Sequence, residues 1–273
     1  LLAAHIYYDG SQTAAQTIYA SGVDIWGVYD YPVDIDTDGE RIVLVSQEYA
    51  AIFVDSGGTW IEEDLIISDG TYPYFTAASI NGDRLYLGEP NSQRVTVLTR
   101  TGSSWTEYAV IASPELTTDF GTTLSADADT LVITGQSTVY VYDTATLTLQ
   151  FTSPIYGRHS YRPRYIVHLG PRNDVEVEGD YFILGDAGLP GDTGFGHVFK
   201  KTGGQWASHQ ILTPAVASAE EIKVGFAVAL HDGVAIVTAP QSSENEVQSG
   251  GAYLFADIDG TWTELARITR EQS

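Results

Sequence analysis

The chain repeats one short pattern of apolar and polar positions. In each copy a run of alternating apolar residues leads into a tight polar turn, and a second apolar run leads out of it. The turns carry Asp-Gly, Asn-Gly-Asp, Asp-Ala-Asp or Gly-Asp, residue types that tolerate the positive φ of a short hairpin turn. Each copy is therefore predicted to be a β-hairpin. The copies align with one another without gaps and span residues 31–45, 74–88, 120–134, 173–185 and 224–238.

A second hairpin follows each of these copies. Its first strand is apolar, and a Gly-rich turn with a Trp follows in every copy except the third, which has Leu147 in that place. The repeated residues are Trp60, Trp105, Trp206 and Trp262. Four short strands in a repeat of about 40 to 55 residues are typical of a β-propeller blade. Because a blade buries its faces against its neighbours, the fixed position of the Trp favours blade packing over a sugar-binding ladder.

The repeat resembles the FG-GAP repeat of integrin α-subunit propellers and of bacterial surface proteins. Phe120-Gly121 and Val224-Gly225 stand at its Phe-Gly element, and Gly88-Glu89-Pro90 and Thr238-Ala239-Pro240 stand at its Gly-Ala-Pro element. The segment Gly251–Phe255 matches the Gly-x-Tyr-x-Phe element closely. The resemblance covers nearly the whole chain, although each copy is degenerate. It implies an extracellular β-propeller that binds or adheres to a partner.

The N-terminal segment 1–24 aligns only with the outer two strands of a blade. We therefore expect an all-β propeller of six blades, in which a half blade precedes five full repeats. The expected units within the single domain 1–273 are the half blade 1–24, the blades 25–70, 71–118, 119–155, 165–214 and 223–270, and a long inter-blade loop 156–172. An open half blade would expose a strand edge, which proteins avoid. Self-assembly, in which a neighbouring chain adds a strand to this edge, is therefore a second possibility.

The net charge is −23, from 36 acidic and 13 basic residues. Such a field repels nucleic acid and anionic membranes, so neither is an expected partner. The sequence has no apolar run of the length that crosses a bilayer, and no Cys to form a disulfide or a zinc–thiolate site. The first residue is Leu1 rather than Met, which we interpret as the start of a processed or excised piece.

One turn has the beginning of a calcium loop. Asp34, Asp36 and Asp38 alternate and Gly39 follows, which places oxygen ligands at alternate positions before a sharp bend. The position of the closing carboxylate is occupied by Ile42. The turn is therefore either an acidic turn that solvates a strand end or an incomplete calcium site. No other cofactor is predicted.

The segment 156–172 is positively charged although the chain is acidic, since it holds four of the ten arginines of the chain. Arg forks hold carboxylate, sulfate or phosphate, and Tyr rings stack on sugars or guanidinium groups. The candidate ligand-binding residues are Arg158, His159, Tyr161, Arg162, Arg164 and Arg172, together with Trp26 from another inter-blade link. In an antiparallel blade this link and the long loops 186–194 and 241–250 emerge on one face. The alternative is that these arginines pair with the chain's own carboxylates.

These features favour an extracellular or cell-surface module that binds a glycan or a protein through the face with the long loops. A structural subunit of a surface layer, sheath or filament is the second hypothesis. A polysaccharide hydrolase or lyase is the third, and it requires two carboxylates about 5 to 10 Å apart. Catalysis is the less favoured class, because the sequence has neither a Gly-x-Ser-x-Gly motif nor His residues at metal-binding spacing.

Overall fold

The structure is a computed structural model, and it describes residues 3–7, 13–21, 33–68, 74–115, 119–155, 173–187, 193–215, 223–240 and 250–269. Throughout these ranges the regular structure is β-strand. We find no helix among them that could span a lipid bilayer. The chain divides into two compact units, Leu1–Leu124 and Ser125–Ser273.

The first unit holds a two-stranded sheet and two four-stranded sheets. The strands are β1 (Ala3–Ile6), β2 (Gln16–Tyr19), β3 (Asp34–Thr37), β4 (Arg41–Val45), β5 (Tyr49–Asp55), β6 (Trp60–Ile67), β7 (Ala77–Asn81), β8 (Arg84–Glu89), β9 (Arg94–Thr101) and β10 (Ser104–Ala112). They pair as β1-β2, β3-β4-β5-β6 and β7-β8-β9-β10, always antiparallel and in chain order.

The second unit holds three four-stranded sheets, of which the first strand starts at the last residue of the first unit. The strands are β11 (Leu124–Ala126), β12 (Thr130–Thr134), β13 (Thr138–Asp143), β14 (Leu149–Pro154), β15 (Val175–Glu178), β16 (Tyr181–Asp186), β17 (Phe195–Thr202), β18 (Gln205–Leu212), β19 (Val228–His231), β20 (Val234–Ala239), β21 (Gly251–Ile258) and β22 (Thr261–Thr269). They pair as β11-β12-β13-β14, β15-β16-β17-β18 and β19-β20-β21-β22. For the described residues, the prediction of five full repeats and one half repeat is confirmed.

Apolar side chains pack between consecutive sheets within each unit. In the first unit, Val43 and Ile52 of one sheet pack with Leu85 and Trp105 of the next. In the second unit, Val237 and Trp262 pack with residues of the preceding sheet. Strands two and three of each four-stranded sheet carry most of the buried positions, which explains their nearly continuous apolar sequence.

At three junctions a side chain of the last strand of one sheet (Gln16, Asp64 or Gln210) bonds to the backbone of the Trp in the next sheet. Gln16 of β2 donates to the carbonyl of Trp60 at 2.6 Å and accepts from its N–H at 2.8 Å. Gln210 of β18 makes the same two bonds to Trp262, at 2.7 and 2.9 Å. Gln16 and Gln210 thus hold equivalent places, so β2 occupies the position of a fourth strand.

Each fourth strand of the four-stranded sheets contains a β-bulge at the same point. The bulged residues are Glu63, Tyr108, Gln150, His209 and Leu265. A bulge redirects a side chain without ending the strand. Glu63 consequently reaches the next sheet, where it accepts a hydrogen bond from Trp105 Nε1 at 3.1 Å. His209 lies within hydrogen-bonding distance of the Gly260 carbonyl, at 3.1 Å.

Candidate functional site

The predicted calcium residues lie between the first strands of two sheets. The carboxylates of Asp34 and Asp36 accept hydrogen bonds from two alternate N–H groups of β7, both at 2.8 Å, and the carboxylate of Asp38 accepts one from the N–H of Gly82 just after β7, at 3.0 Å. Because β7 is at the edge of its sheet, these N–H groups have no partner strand on that side. The alternating acidic residues therefore supply hydrogen-bond acceptors to the backbone N–H groups at the edge of the neighbouring sheet.

This arrangement gives the three carboxylates a structural role. Burial raises the pKa of Asp36, against hydrogen bonds from Ile80 and Thr37 that lower it. Among the described residues, no group of three or more His, Asp or Glu side chains is arranged to hold a metal ion. Calcium binding at this turn stays a prediction.

The same contacts recur between the first strands of the second unit. Ser125 and Asp127 accept from an N–H group of β15 and from the N–H just after β15, each 52 residues further along the chain, at 3.1 and 2.8 Å. Asp174 and Glu178 accept from an N–H group of β19 and from the N–H just after β19, each 54 residues further along, at 2.9 and 2.7 Å. Since the separation is constant along each pair, neighbouring first strands run in the same direction.

The common direction puts the strand ends that flank the long connections of the second unit at one end of its sheets. We call this the loop end: β14, β16 and β20 finish there, and β15, β17, β19 and β21 begin there. The connections that leave and re-enter at the loop end contain residues 156–172, 188–192, 216–222 and 241–249. The predicted ligand-binding residues of the Arg-rich segment and Trp26 lie outside the described residues.

Two buried polar residues, Asp186 and His197, lie close to the loop end. Asp186, the last residue of β16, is 1% exposed, and His197 of β17 is 5% exposed. Nε2 of His197 lies 2.7 Å from the hydroxyl of Ser208, and its ring lies against Phe199 with the centroids 4.1 Å apart. Burial lowers the pKa of His197 to about 4, although the charge of Asp186 opposes this shift. The imidazole is therefore neutral at physiological pH.

The first unit has a buried carboxylate at the equivalent position. Glu89, the last residue of β8, is 1% exposed. It accepts hydrogen bonds from Arg94 Nε and Nη2 at 2.9 and 2.7 Å and from the Thr96 hydroxyl at 2.5 Å. Neither Glu89 nor Asp186 is among the candidate site residues predicted from the sequence. The signal that identifies both is an acidic residue directly after the glycine of the second strand, in place of the alanine of Gly-Ala-Pro.

Two pairs of glycines, each with one member in a second strand, meet in space. A Cβ at Gly88 would lie 2.1 Å from the carbonyl oxygen of Gly121, which has φ +89°. A Cβ at Gly185 would lie 2.3 Å from the carbonyl oxygen of Gly225, which has φ +85°. Close backbone contact therefore requires glycine at one position of each pair, and the left-handed backbone favours it at the other.

The chain is similar in structure to several solved β-propellers. Kluyvelomyces marxianus Hsv2 superposes with a TM-score of 0.58 at 14% identity, over 99% of this chain and 81% of that one. Two candidate 6-phosphogluconolactonases are also similar. The protein from Bacteroides uniformis has a TM-score of 0.59 at 10% identity and covers 87% and 71% of the two chains, and the one from Bacteroides fragilis has 0.56 at 12% and covers 87% and 70%.

These likenesses show the fold alone. The neighbours are propellers of four-stranded antiparallel blades, so the predicted fold class, a β-propeller, is confirmed. No protein-family model matches the chain, and no curated protein matches it significantly. The narrower FG-GAP assignment stays a prediction.

Proposed function

We propose that this propeller is an extracellular binding module that recognises a glycan or a protein through the loop end of its second unit. The ligand class that fits best carries carboxylate, sulfate or phosphate groups, which the arginines of residues 156–172 hold as bidentate partners. Tyr161, from the same segment, adds aromatic surface. Calcium is an accessory ligand at most.

The observation that carries this proposal is the common direction of β15 and β19. Strand ends that flank residues 156–172, 188–192 and 241–249 therefore share one end of the same unit, as the constant 54-residue separation of the hydrogen bonds from Asp174 and Glu178 indicates. Binding residues concentrate on such connections, because a rigid scaffold positions them while leaving their sequence free to vary.

The acidic side chains of the first strands favour a binding function over acid–base catalysis, because their carboxylates already have structural partners. Those of Asp34, Asp174 and Glu178 each accept a backbone hydrogen bond from a neighbouring sheet. They stabilise the packing of sheets, so a ligand would have to disrupt that packing to use them. The proposal therefore assigns recognition to the arginines and leaves the acidic first strands as scaffold.

A matched pair of double variants tests the proposal. Screening on glycan and extracellular-protein arrays, with and without calcium, identifies a ligand. Arg162→Ala/Arg164→Ala should then weaken its binding by at least about tenfold, because charge-assisted contacts are lost. Lys200→Ala/Lys201→Ala removes the same charge at the opposite end of β17 and should leave the affinity within about twofold. Equal losses in both variants, or no binder on either array, would refute the loop end as the binding site.

A further inference from the structure

The face of β3 that points toward the two-stranded sheet is partly uncovered. Ile35 is 53% exposed. The residues at its aligned position in the other first strands are all buried: Ala78 is 3% exposed, Leu124 6%, Val175 3% and Val228 8%. This apolar position is therefore exposed where the preceding sheet has two described strands and buried where the preceding sheet has four.

The uncovered area corresponds to the two strands that the β1-β2 sheet lacks among the described residues. On the face of Ile35, its partner Leu44 packs in a cluster with Ile18 and Ala20, from β2 and the residue after it. In the next pair of sheets, Ala78 packs in one cluster with Val43 of β4 and Ile52 of β5. Ala78 is thus covered by the second and third strands of the preceding sheet, whereas the described part of the sheet that precedes Ile35 consists of the outer pair of strands.

Backbone N–H groups of β3 face the same uncovered area. The aligned counterparts of the β7 N–H groups that bind Asp34 and Asp36 are the N–H groups of Ile35 and Thr37. In β3 the N–H of Ile35 is bonded to the adjacent Asp34 carboxylate, at 3.0 Å. An incoming strand with an acidic or hydroxyl residue at alternate positions would reach these groups as Asp34 and Asp36 reach β7.

We propose that β1 and the exposed face of β3 form an acceptor site for a β-hairpin of a partner polypeptide. The first strand of this hairpin carries Asp, Glu or Ser at alternate positions and lies beside β3. Its second strand covers Ile35 and pairs with the edge of β1 by strand addition. A second copy of this chain does not fit, because its described hairpins are already built into their own sheets.

The chain supplies a probe of the required chemistry. A synthetic peptide with the sequence of residues 173–187 contains a first strand with Asp174, Glu176 and Glu178 and the second strand that follows it. Fluorescence anisotropy of the labelled peptide, at about 0.15 M salt to screen the acidic chain, should show saturable binding to the full chain. A peptide with all three acidic residues replaced by Ala should bind at least about tenfold more weakly.

Two variants of the chain locate the site without disturbing its fold. Ile35→Asp should weaken peptide binding by at least about tenfold, because an apolar contact is replaced by a charge. Ile61→Asp changes a residue of similar exposure, 48%, on β6 of the same sheet, and should leave the affinity within about twofold. Equal affinity of Ile35→Asp and the unmodified chain would overturn the proposal, as would the absence of binding.

Hydrogen exchange separates addition at this site from strand exchange elsewhere. Bound peptide should slow exchange in fragments that cover residues 3–7 and 33–39. Slowing only in the sheet from which the peptide sequence is copied would overturn the proposal, because the peptide would then displace its own counterpart. Light scattering of the unliganded chain should give the monomer mass, and a dimer that Ile35→Asp dissociates would make a second copy the occupant instead.

Discussion

Replacement of Glu63 by Gln should destabilise the first unit, because three side chains of two sheets converge on this carboxylate. Glu63 accepts from Arg100 Nε at 3.1 Å and from Arg100 Nη2, and Trp105 Nε1 donates to it at 3.1 Å. Nε of Arg41 lies 3.7 Å away, and only 4% of the Glu63 side chain is exposed. The β-bulge of β6 places it there, so the network depends on one redirected side chain.

The magnitude follows from the burial of the two partners. Removing one member of a buried ion pair costs about 3–5 kcal/mol. Arg100 keeps 24% of its side chain exposed, so water compensates part of the loss, and we expect about 3 kcal/mol for Glu63→Gln. For a unit of this size that corresponds to a fall in Tm of about 10 °C. Glu40→Gln, at a side chain that is 82% exposed, should change stability by less than about 0.5 kcal/mol.

The pH dependence provides an independent check. Burial alone would raise the pKa of Glu63, but the hydrogen bonds from Arg100 and Trp105 outweigh it and hold the pKa below its usual value of 4.5. A carboxylate with a lowered folded pKa contributes stability above its unfolded pKa and loses it as the pH falls through the folded pKa. Urea unfolding followed by Trp fluorescence should therefore show the gap between Glu63→Gln and the unmodified chain closing below about pH 4.5. A gap that is absent at pH 7, or that does not change with pH, would refute the reasoning.

Three further predictions concern other parts of the fold. The pKa of His197 is about 4 in the folded chain and 6.5 in the unfolded chain, so between these values the unfolded chain binds the extra proton. The free energy of unfolding should therefore fall as the pH drops from 6.5 toward 4. In urea titrations, His197→Gln should lose less of its free energy of unfolding over that range than the unmodified chain. Gly185→Ala should cost about 3 kcal/mol in urea unfolding, since its Cβ would meet the Gly225 oxygen, whereas Gly204→Ala, with no atom within 4 Å at φ +80°, should cost about 1 kcal/mol; equal costs would contradict the packing argument. Millimolar calcium should leave the Tm unchanged to within about 1 °C, because the Asp34–Asp38 carboxylates are already hydrogen-bonded, and a rise of several degrees in calorimetry would support the calcium site instead.

The fold could be predicted from the sequence because its determinants are local. Turn residues such as Gly82 and Gly179 adopt positive φ between apolar runs, and the repetition of these runs gives the strand order directly. The half repeat was predictable for the same reason, since residues 3–19 contain only the pattern of an outer hairpin.

The role of the acidic positions could not be predicted in this way. Asp36 bonds to a backbone group 44 residues away, and nothing near Asp36 in sequence distinguishes that contact from a calcium ligand. The bulge at Glu63 was equally hidden, because an extra residue in a strand has no compositional signature. Asp186 and Glu89 would have been found by asking which repeats replace the small residue after the second-strand glycine.

The side-chain hydrogen bonds between neighbouring first strands keep their geometry although the number of residues between donor and acceptor varies. It is 44 at one junction and 52 and 54 at others. Doubling the length of a surface connection costs only about 0.6 kcal/mol of closure entropy. Insertions in the connections can therefore accumulate with little effect on folding, whereas a single residue inserted into a first strand would move every acidic side chain to the wrong face. Such a scaffold can acquire new ligands by lengthening its surface segments while its interior stays fixed.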